Sequence, residues 1–315
     1  MRKRLQNKVA ESKLTLPAVS CYAVVVWLLS GLVQQHWWLQ FGCFVVTGYL
    51  MMQLQHINAL LRIYSRAVSC TMLVVLCCSC FLFPSLRGGI TQACVTGYLL
   101  LAFMTYQDRE ATGITYYAYL LLGVASLAFV HVLFFLPLLW LLTATQLQSL
   151  SWRTWFASLL GLATPYWILS CLLVWRNELG FLPHHFQALV TFSTPDLNLV
   201  ITGLPLGVRC VLLFVIILAV VGTIHFIRQR TNDKIRTRLI YGFFIWMDLA
   251  TILFLVLQPQ HYDSLLRLAI IFTAPLAGHF LALTYTKVTN MAFWLFITAA
   301  LLLTAFNLWT SSSLF

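Results

Sequence analysis

Ten long apolar segments occupy most of this 315-residue chain and decide what it can fold into. They lie near residues 14–33, 38–55, 67–86, 89–106, 115–147, 155–175, 203–227, 239–257, 264–283 and 291–309. A membrane-spanning helix needs roughly 17–25 apolar residues, so each segment is long enough for at least one span. Because 61% of the residues are apolar and only 9% are charged, the chain cannot cover a soluble globule with polar groups. The sequence predicts an all-α, polytopic transmembrane helical bundle that forms one domain, residues 1–315.

The positions of the basic residues predict how this bundle is oriented. The chain has 19 Lys and Arg against 8 Asp and Glu, a net charge of +11, and basic residues accumulate in the cytoplasmic loops of membrane proteins. If the uncharged segment 115–147 crosses the membrane twice, the N-terminus 1–13, the loop 228–238 and 15 of the 19 basic residues share the cytoplasmic side. We therefore expect about 11 spans, a cytoplasmic N-terminus and a periplasmic C-terminus.

The densest basic cluster lies in the loop 228–238. It consists of Arg228, Arg230, Lys234, Arg236 and Arg238. Such a cluster either only fixes the topology or also contacts anionic lipid head groups at the cytoplasmic surface. The charge surplus is then a topology signal, and we expect no nucleic-acid partner.

His131 lies at the centre of the segment 115–147, where we place the break between two short helices. Irregular backbone within a membrane is tolerated where it lines a cavity or is buried in protein. The histidine therefore either binds a polar group at the outer membrane face or caps the broken backbone.

Asp248 is the one acid near the middle of a predicted span, and we expect it to have a partner. Placing a carboxylate there costs at least about 2.5–3.5 kcal/mol on insertion scales. Arg267, just inside the next span, is the predicted partner. The pair would be a proton relay or a head-group ligand; the alternatives are a structural ion pair or a neutral Asp bonded to a neighbouring helix.

The largest outer segment, residues 176–202, mixes polar and apolar side chains and is predicted to lie on the periplasmic face. Its polar residues include Arg176, Glu178, His184, His185 and Asp196, which together with Arg267 are the candidate ligands for a substrate or lipid head group. The segment is either an interfacial helix at the mouth of a binding site or a solvated loop with an apolar underside.

Neither the histidines nor the cysteines predict a metal site. His184 and His185 fall on different faces of a helix and lack a third ligand. The nine cysteines all lie in apolar segments and are expected to be reduced packing residues. We expect no cofactor.

Four stretches, residues 119–127, 134–140, 151–155 and 159–166, resemble an uncharacterised family of polytopic inner-membrane proteins from Bacteroidota. The shared features are a Gly-x-Ala-Ser-Leu run beginning at Gly123, a helix containing Pro137, an inner turn with Trp152 and Trp155, and a Leu-Leu-Gly-Leu-x-x-Pro-Tyr span ending at Tyr166. Thr154 stands where a Glu is common in that family. The resemblance implies a multi-pass protein of the bacterial inner membrane and does not imply a reaction.

The same block is more loosely similar to the GT-C membrane glycosyltransferases, which use polyprenyl-phosphate sugars. That resemblance implies a GT-C-like helical arrangement. GT-C enzymes carry a catalytic acid in a long first outer loop, whereas the corresponding loop here, residues 34–38, is short and contains no acid.

These observations favour an inner-membrane protein of cell-envelope biogenesis with an outward-opening cavity for a lipid or a lipid-linked substrate. The alternatives are an active polyprenyl-phosphate-sugar-dependent glycosyltransferase and a non-catalytic subunit that docks a membrane-protein partner, with a transporter ranked below them. A transferase needs Glu178, Asp196 or Asp263 to converge with Arg176 or Arg267.

Overall fold

The computed structural model describes residues 4–178, 180–190 and 203–312, and these residues form α-helices without any β-strand. The helices are α1 Leu5–Glu11, α2 Thr15–Leu29, α3 Trp38–Ile57, α4 Ala67–Cys78, α5 Leu86–Met104, α6 Thr112–Ala128, α7 Leu136–Thr145, α8 Trp152–Arg176, α9 Phe181–Gln187, α10 Leu206–Gln229, α11 Ile235–Leu257, α12 Tyr262–Leu283 and α13 Lys287–Ser312. Every predicted apolar segment contains a helix, and the predicted all-α fold is confirmed.

Five of the described helical stretches are long and apolar enough to cross a membrane. They are Trp152–Arg176, Leu206–Asn232, Ile235–Leu257, Pro259–Leu283 and Lys287–Thr310. A sixth results if α1 and α2, which meet at an angle of 89°, count as one broken span. These helices indicate a helical membrane protein, as the sequence predicts.

Helix α12 is the centre of the bundle. Of its apolar stretch, 94% of the residues are buried, and it packs against α4, α5, α10 and α11. Small residues allow this close packing: a Cβ atom on Gly278 would lie 2.8 Å from the Val68 Cα of α4. Polar residues on α12 are therefore held inside the protein from one end of the bundle to the other.

The segment 115–147 is broken where the sequence predicts. Helix α6 ends at Ala128, Phe129 is extended (φ −142°, ψ 95°), and a 3-10 turn, Val130–Phe135, leads into α7. Pro137 lies in the first turn of α7, where a missing N–H removes no helical hydrogen bond. The segment then returns to the end of the bundle at which α6 begins. This is shown by the backbone N–H of Gln107, before α6, which donates to the Leu147 carbonyl oxygen after α7 (2.9 Å).

One predicted segment is shorter as a helix than expected. The apolar segment 67–86 forms a helix only as far as Cys78, and a 3-10 turn, Cys80–Leu82, follows. The Cys78 carbonyl oxygen, which has no partner within a helix that ends here, accepts a hydrogen bond from Asn307 Nδ2 of α13 (2.7 Å).

Side-chain contacts sort the helix connections into two ends of the bundle. At the basic end, Arg62 Nε lies 2.7 Å from Asp233 Oδ1, Arg236 Nη2 donates to Asn58 Oδ1 (2.7 Å), and Arg4 Nη1 donates to the Tyr285 carbonyl oxygen (2.5 Å). At the opposite end, which we call the histidine end, the start of α5, the break after α6, α9 and the start of α12 come together.

Candidate functional site

Three histidines meet around the break between α6 and α7. His131 lies in the turn Val130–Phe135 and is 6% exposed, and its ring centroid is 4.1 Å from that of His261, which ends the 3-10 turn before α12. His185 of α9 donates from Nε2 to the Ser126 carbonyl oxygen at the end of α6 (3.2 Å). We call these three residues the histidine cluster. Phe129 and Phe254 pack beside His131, with ring centroids 5.1 and 6.3 Å away.

The cluster is uncharged at neutral pH. Burial, and after it the neighbouring ring of His261, lowers the pKa of His131 to about 4. Burial also lowers the pKa of His261, and burial together with the charge of Arg87 lowers the pKa of His185. A neutral imidazole has one N–H donor and one nitrogen acceptor, so the cluster can bind a hydroxyl or phosphoryl group without carrying a net charge.

Lowering the pH is expected to destabilise the protein through this cluster. Because the pKa of His131 is lower in the folded protein than the value of about 6.5 in an unfolded chain, protons bind the unfolded chain more readily. Stability is therefore lost as the pH falls below about 6.5, and the loss from His131 continues until the pH is below its folded-state pKa of about 4. Thermal unfolding in detergent between pH 7.5 and pH 4.5 measures this.

The matched variants are His131→Gln and His184→Gln. His131→Gln removes a buried titrating ring, so the unfolding midpoint should decrease less as the pH falls. His184→Gln changes an exposed neighbour of His185, so the unfolding midpoint should depend on pH as in the wild type. Equal pH profiles for the two variants would contradict the assignment. Asp233 does not act in this range, since its pKa is held below its usual value near 3.8.

A second polar group at the histidine end joins α5 to α12. Asp263 Oδ2 accepts a hydrogen bond from Ser85 Oγ (2.6 Å), and its Oδ1 lies 3.5 Å from Arg267 Nε. Ser85 also caps α5 by accepting from the Gly88 N–H (3.1 Å). The Asp263 side chain is 34% exposed whereas that of Arg267 is 8% exposed, so the carboxylate is the part of this group that faces outward.

Arg267 is held by α5 and by the turn before it. Its Nη1 donates to Gln92 Oε1 (3.0 Å), and its Nη2 donates to the Leu82 carbonyl oxygen. Gly88 is required at this contact, because a Cβ atom there would lie 2.6 Å from Arg267 Nε. The guanidinium therefore positions Asp263 and locks two helices together.

The predicted pairing of Asp248 with Arg267 is wrong. Asp248 is 3% exposed, and its Oδ1 accepts a hydrogen bond from Thr273 Oγ1 of α12 (2.8 Å). Arg267 finds a nearer acid one turn away on its own helix, Asp263, because residues four apart share a helix face. Of the alternatives that the sequence left open, the structure shows an Asp bonded to a neighbouring helix.

The outer segment contributes one of its candidate residues to the cluster. Arg176, Glu178 and His184 are exposed at the histidine end, His185 joins the histidine cluster, and Asp196 lies outside the described residues. Helix α9 rests on α8 through Phe186, whose ring stacks on that of Tyr166 with centroids 5.1 Å apart. The described part of the segment therefore packs on α8 through an aromatic contact.

An apolar groove of about 290 Å³ lies between α6 and α8. Its lining includes Leu120, Val124, Leu127, Pro165, Ile168 and Leu172. The same two helices are also joined by a hydrogen bond between Ser126 Oγ and Tyr166 OH (2.7 Å), two residues that do not line the groove. The α6–α8 groove therefore offers an almost wholly apolar surface on two helices that also contact His185.

The basic loop forms a second polar centre at the other end of the bundle. Arg228, Arg230 and Lys234 are exposed, and Arg238 is half-buried. Arg236 is tied inward, since its Nη2 also donates to the Phe103 carbonyl oxygen (3.1 Å).

Asp233 is the residue of this loop that sequence reasoning missed. It is 5% exposed and is bound by Arg62 Nε (2.7 Å) and His279 Nε2 (3.2 Å). Burial opposes its ionisation, but the hydrogen bond and charge of His279, with those of Arg62, hold the pKa of the carboxyl below its usual value. The signal that could have found it is its position as the single acid among five basic residues of one short loop.

Within the described ranges, no group of three or more His, Cys, Asp or Glu side chains is arranged to hold a metal ion. No family model matches this chain, and neither a curated protein nor a solved structure matches it. Its resemblance to the Bacteroidota inner-membrane family and to the GT-C enzymes stays a prediction from the sequence.

Proposed function

We propose that this protein binds a lipid or a lipid-linked substrate at the histidine end, as part of cell-envelope biogenesis in a bacterial inner membrane. The apolar chain of the ligand lies in the α6–α8 groove, and its head group meets the histidine cluster. The observation that carries this proposal is an apolar groove between α6 and α8, the two helices that also contact His185 of the histidine cluster.

The groove suits an acyl or isoprenoid chain. The residues of α6 that line it, Leu120 to Leu127, follow the helix for about 10 Å at 1.5 Å per residue. The lining is almost wholly apolar, and a chain that enters it from the bilayer, rather than from water, gains no hydrophobic energy. Selectivity between ligands with apolar chains then has to come from their head groups.

The proposed head-group region at the histidine end combines neutral and charged groups. His131, His185 and His261 supply donors and acceptors that carry no charge at neutral pH. Arg87 is exposed at the same end and supplies the positive charge that a phosphate needs.

We also propose that the chain crosses the membrane eleven times, through α2–α8 and α10–α13. The contacts that join Arg62 to Asp233 and Arg4 to Tyr285 support it, since they bring the basic connections to one end of the bundle. By the positive-inside rule that end is cytoplasmic, which places the N-terminus inside and the C-terminus in the periplasm. The order of α6, the broken turn and the short α7 with its Pro137 supports a GT-C-like arrangement.

Thiol labelling tests this orientation. With a membrane-impermeant maleimide applied to intact cells, Glu178→Cys is expected to react, and Asn232→Cys is expected to react only after the inner membrane is permeabilised. Both positions are exposed, and they lie at opposite ends of the bundle. Labelling of Asn232→Cys in intact cells would overturn the orientation.

Filling the groove tests the function. Leu172→Trp places a large ring in the groove and is expected to reduce labelling by a photoreactive isoprenoid phosphate at least five-fold, measured on the purified protein in nanodiscs. The control is Leu213→Trp, a change at a lipid-exposed leucine of α10. Equal labelling of the two variants would refute the groove as the ligand site.

A second candidate function is an active transferase, and the position of Asp263 favours it. This acid converges with Arg267 at the predicted outer end and is partly exposed, as a general base must be. Asp263→Asn is then expected to retain the isoprenoid phosphate in the labelling assay while losing transfer of its sugar. Unchanged transfer would exclude Asp263 as the base.

A further inference from the structure

A second cavity lies at the basic end, away from the proposed lipid groove. It has a volume of about 520 Å³ and is formed by the last turns of α3 and the connection that leads to α4. Its polar lining includes Gln53, His56, Arg62, Tyr64, Ser65 and Arg66. A site of this volume is within the usual range for a small ligand, roughly 300–1,000 Å³.

The walls of this cavity are fixed by hydrogen bonds. Gln55 Nε2 donates to the Ser65 carbonyl oxygen, and Ser69 Oγ of α4 donates to Gln55 Oε1 (3.4 Å). Asn58 closes α3 by donating from Nδ2 to the Leu54 carbonyl oxygen (3.0 Å), and it is held in turn by Arg236. The connection is therefore ordered around the cavity without needing a ligand.

Two arginines face this cavity, and one of them is held in place by a buried acid. Arg62 uses Nε for its ion pair with Asp233, while its side chain stays 37% exposed. Because His279 also binds Asp233, the carboxylate is fixed and so is the guanidinium attached to it. Arg62 can then present its terminal nitrogens to the cavity as paired donors.

Arg66 adds the second positive group. It is half-buried and stands immediately before α4, whose N-terminal end carries a partial positive charge from the helix dipole. Its Nη2 lies 3.5 Å from the Tyr64 hydroxyl oxygen, at the limit of a hydrogen bond. Two guanidiniums thus line one cavity, while the acid beside them is already engaged by Arg62 and His279.

We propose that this cavity binds a phosphate-bearing anion, which is either the head group of an anionic lipid or a soluble phosphate compound. Guanidiniums bind phosphate through charge-assisted paired hydrogen bonds, and Tyr64 and Ser65 supply hydroxyl groups at the same cavity. This site goes beyond the proposed function and lies at the opposite end of the bundle.

Two measurements on the full-length, delipidated protein in detergent distinguish the sources. Native mass spectrometry measures retention of phosphatidylglycerol against phosphatidylcholine, and thermal unfolding measures stabilisation by inorganic phosphate against chloride at equal ionic strength. Preferential retention of phosphatidylglycerol supports a lipid, and stabilisation by phosphate supports a soluble ligand. The absence of both effects would overturn the proposal.

The variant Arg66→Gln is expected to weaken whichever effect is found five- to ten-fold. Its control is Arg153→Gln, which removes the same charge from an exposed position on α8 outside the cavity. Arg66→Lys keeps the charge without the paired donors and should bind with intermediate strength. Equal binding by Arg66→Gln and Arg153→Gln would refute the site. Leu172→Trp, which fills the α6–α8 groove, should leave phosphate or lipid binding at this cavity unchanged. The two proposals can therefore fail independently of each other.

Discussion

Replacing Gly161 by alanine is expected to destabilise the protein by about 3 kcal/mol, the upper part of the range for overpacking a tightly packed interior. A Cβ atom at this position of α8 would lie 2.3 Å from the Tyr116 carbonyl oxygen and 3.1 Å from the Leu120 nitrogen, both in the backbone of α6. Backbone atoms cannot relieve the clash by changing rotamer as a side chain can, so the two helices would have to separate. Unfolding of the variant in mixed micelles with increasing denaturing detergent measures the loss.

Helix α6 also places a glycine at its contact with α8. A Cβ atom on Gly123 of α6 would lie 2.8 Å from the Leu162 carbonyl oxygen of α8. Helices in lipid gain no hydrophobic energy by associating, so close backbone approach through small residues is a main source of their attraction. Because these two glycines hold together the helices that line the groove, we expect Gly161→Ala also to weaken labelling by the isoprenoid phosphate.

The matched control is Gly42→Ala in α3. No atom lies within 4 Å of a Cβ placed there, so alanine should be neutral or should stabilise the helix by about 0.5–1 kcal/mol through its better helix propensity. If Gly161→Ala and Gly42→Ala unfold alike, α6 and α8 are not in contact at the distance described.

The helices and the main break were predictable because they depend on features that are local in sequence. Apolar length determines where a helix can be embedded in lipid, and the alternation of basic loops determines how often the chain has to cross. The break near His131 follows from both, since one crossing of segment 115–147 would have separated the basic loop 228–238 from Arg62. The structure joins these two parts through the ion pair of Arg62 with Asp233.

The partners within the sites were not predictable, because they depend on how each helix is rotated about its axis. A helix surrounded by lipid and protein is apolar on every side, so the sequence pattern does not indicate which face meets which neighbour. Asp248 illustrates this: the position of Arg267 just inside the next span suggested a pair, yet the Asp248 carboxylate accepts a hydrogen bond from Thr273. The meeting of His131 with His185 and His261 is a similar case, since it joins three connections far apart in the chain.

Arg267→Ala is expected to be the most destabilising side-chain change at the histidine end, with a loss of about 3–5 kcal/mol, because two buried acceptors lose their donor at a cost of about 1–3 kcal/mol each. The substitution leaves Gln92 and the Leu82 carbonyl oxygen without their donor in a buried site. It also frees Asp263, whose remaining described partner is Ser85. The same unfolding titration measures the change.

Two companion variants separate the anchoring role of Arg267 from its charge. Asp263→Asn removes one partly exposed partner and should cost only about 1 kcal/mol, because that ion pair is open to solvent on one side. Arg176→Ala removes the same charge from an exposed position at the end of α8 and should stay within about 0.5 kcal/mol of the wild type. If Arg267→Ala were as stable as Arg176→Ala, the guanidinium would not hold α5 to α12, and the outward placement of Asp263 would need another cause. A large loss in Arg267→Ala together with a small loss in Asp263→Asn would instead show that α5 anchors the arginine through Gln92 and Leu82, leaving the carboxylate available for a ligand.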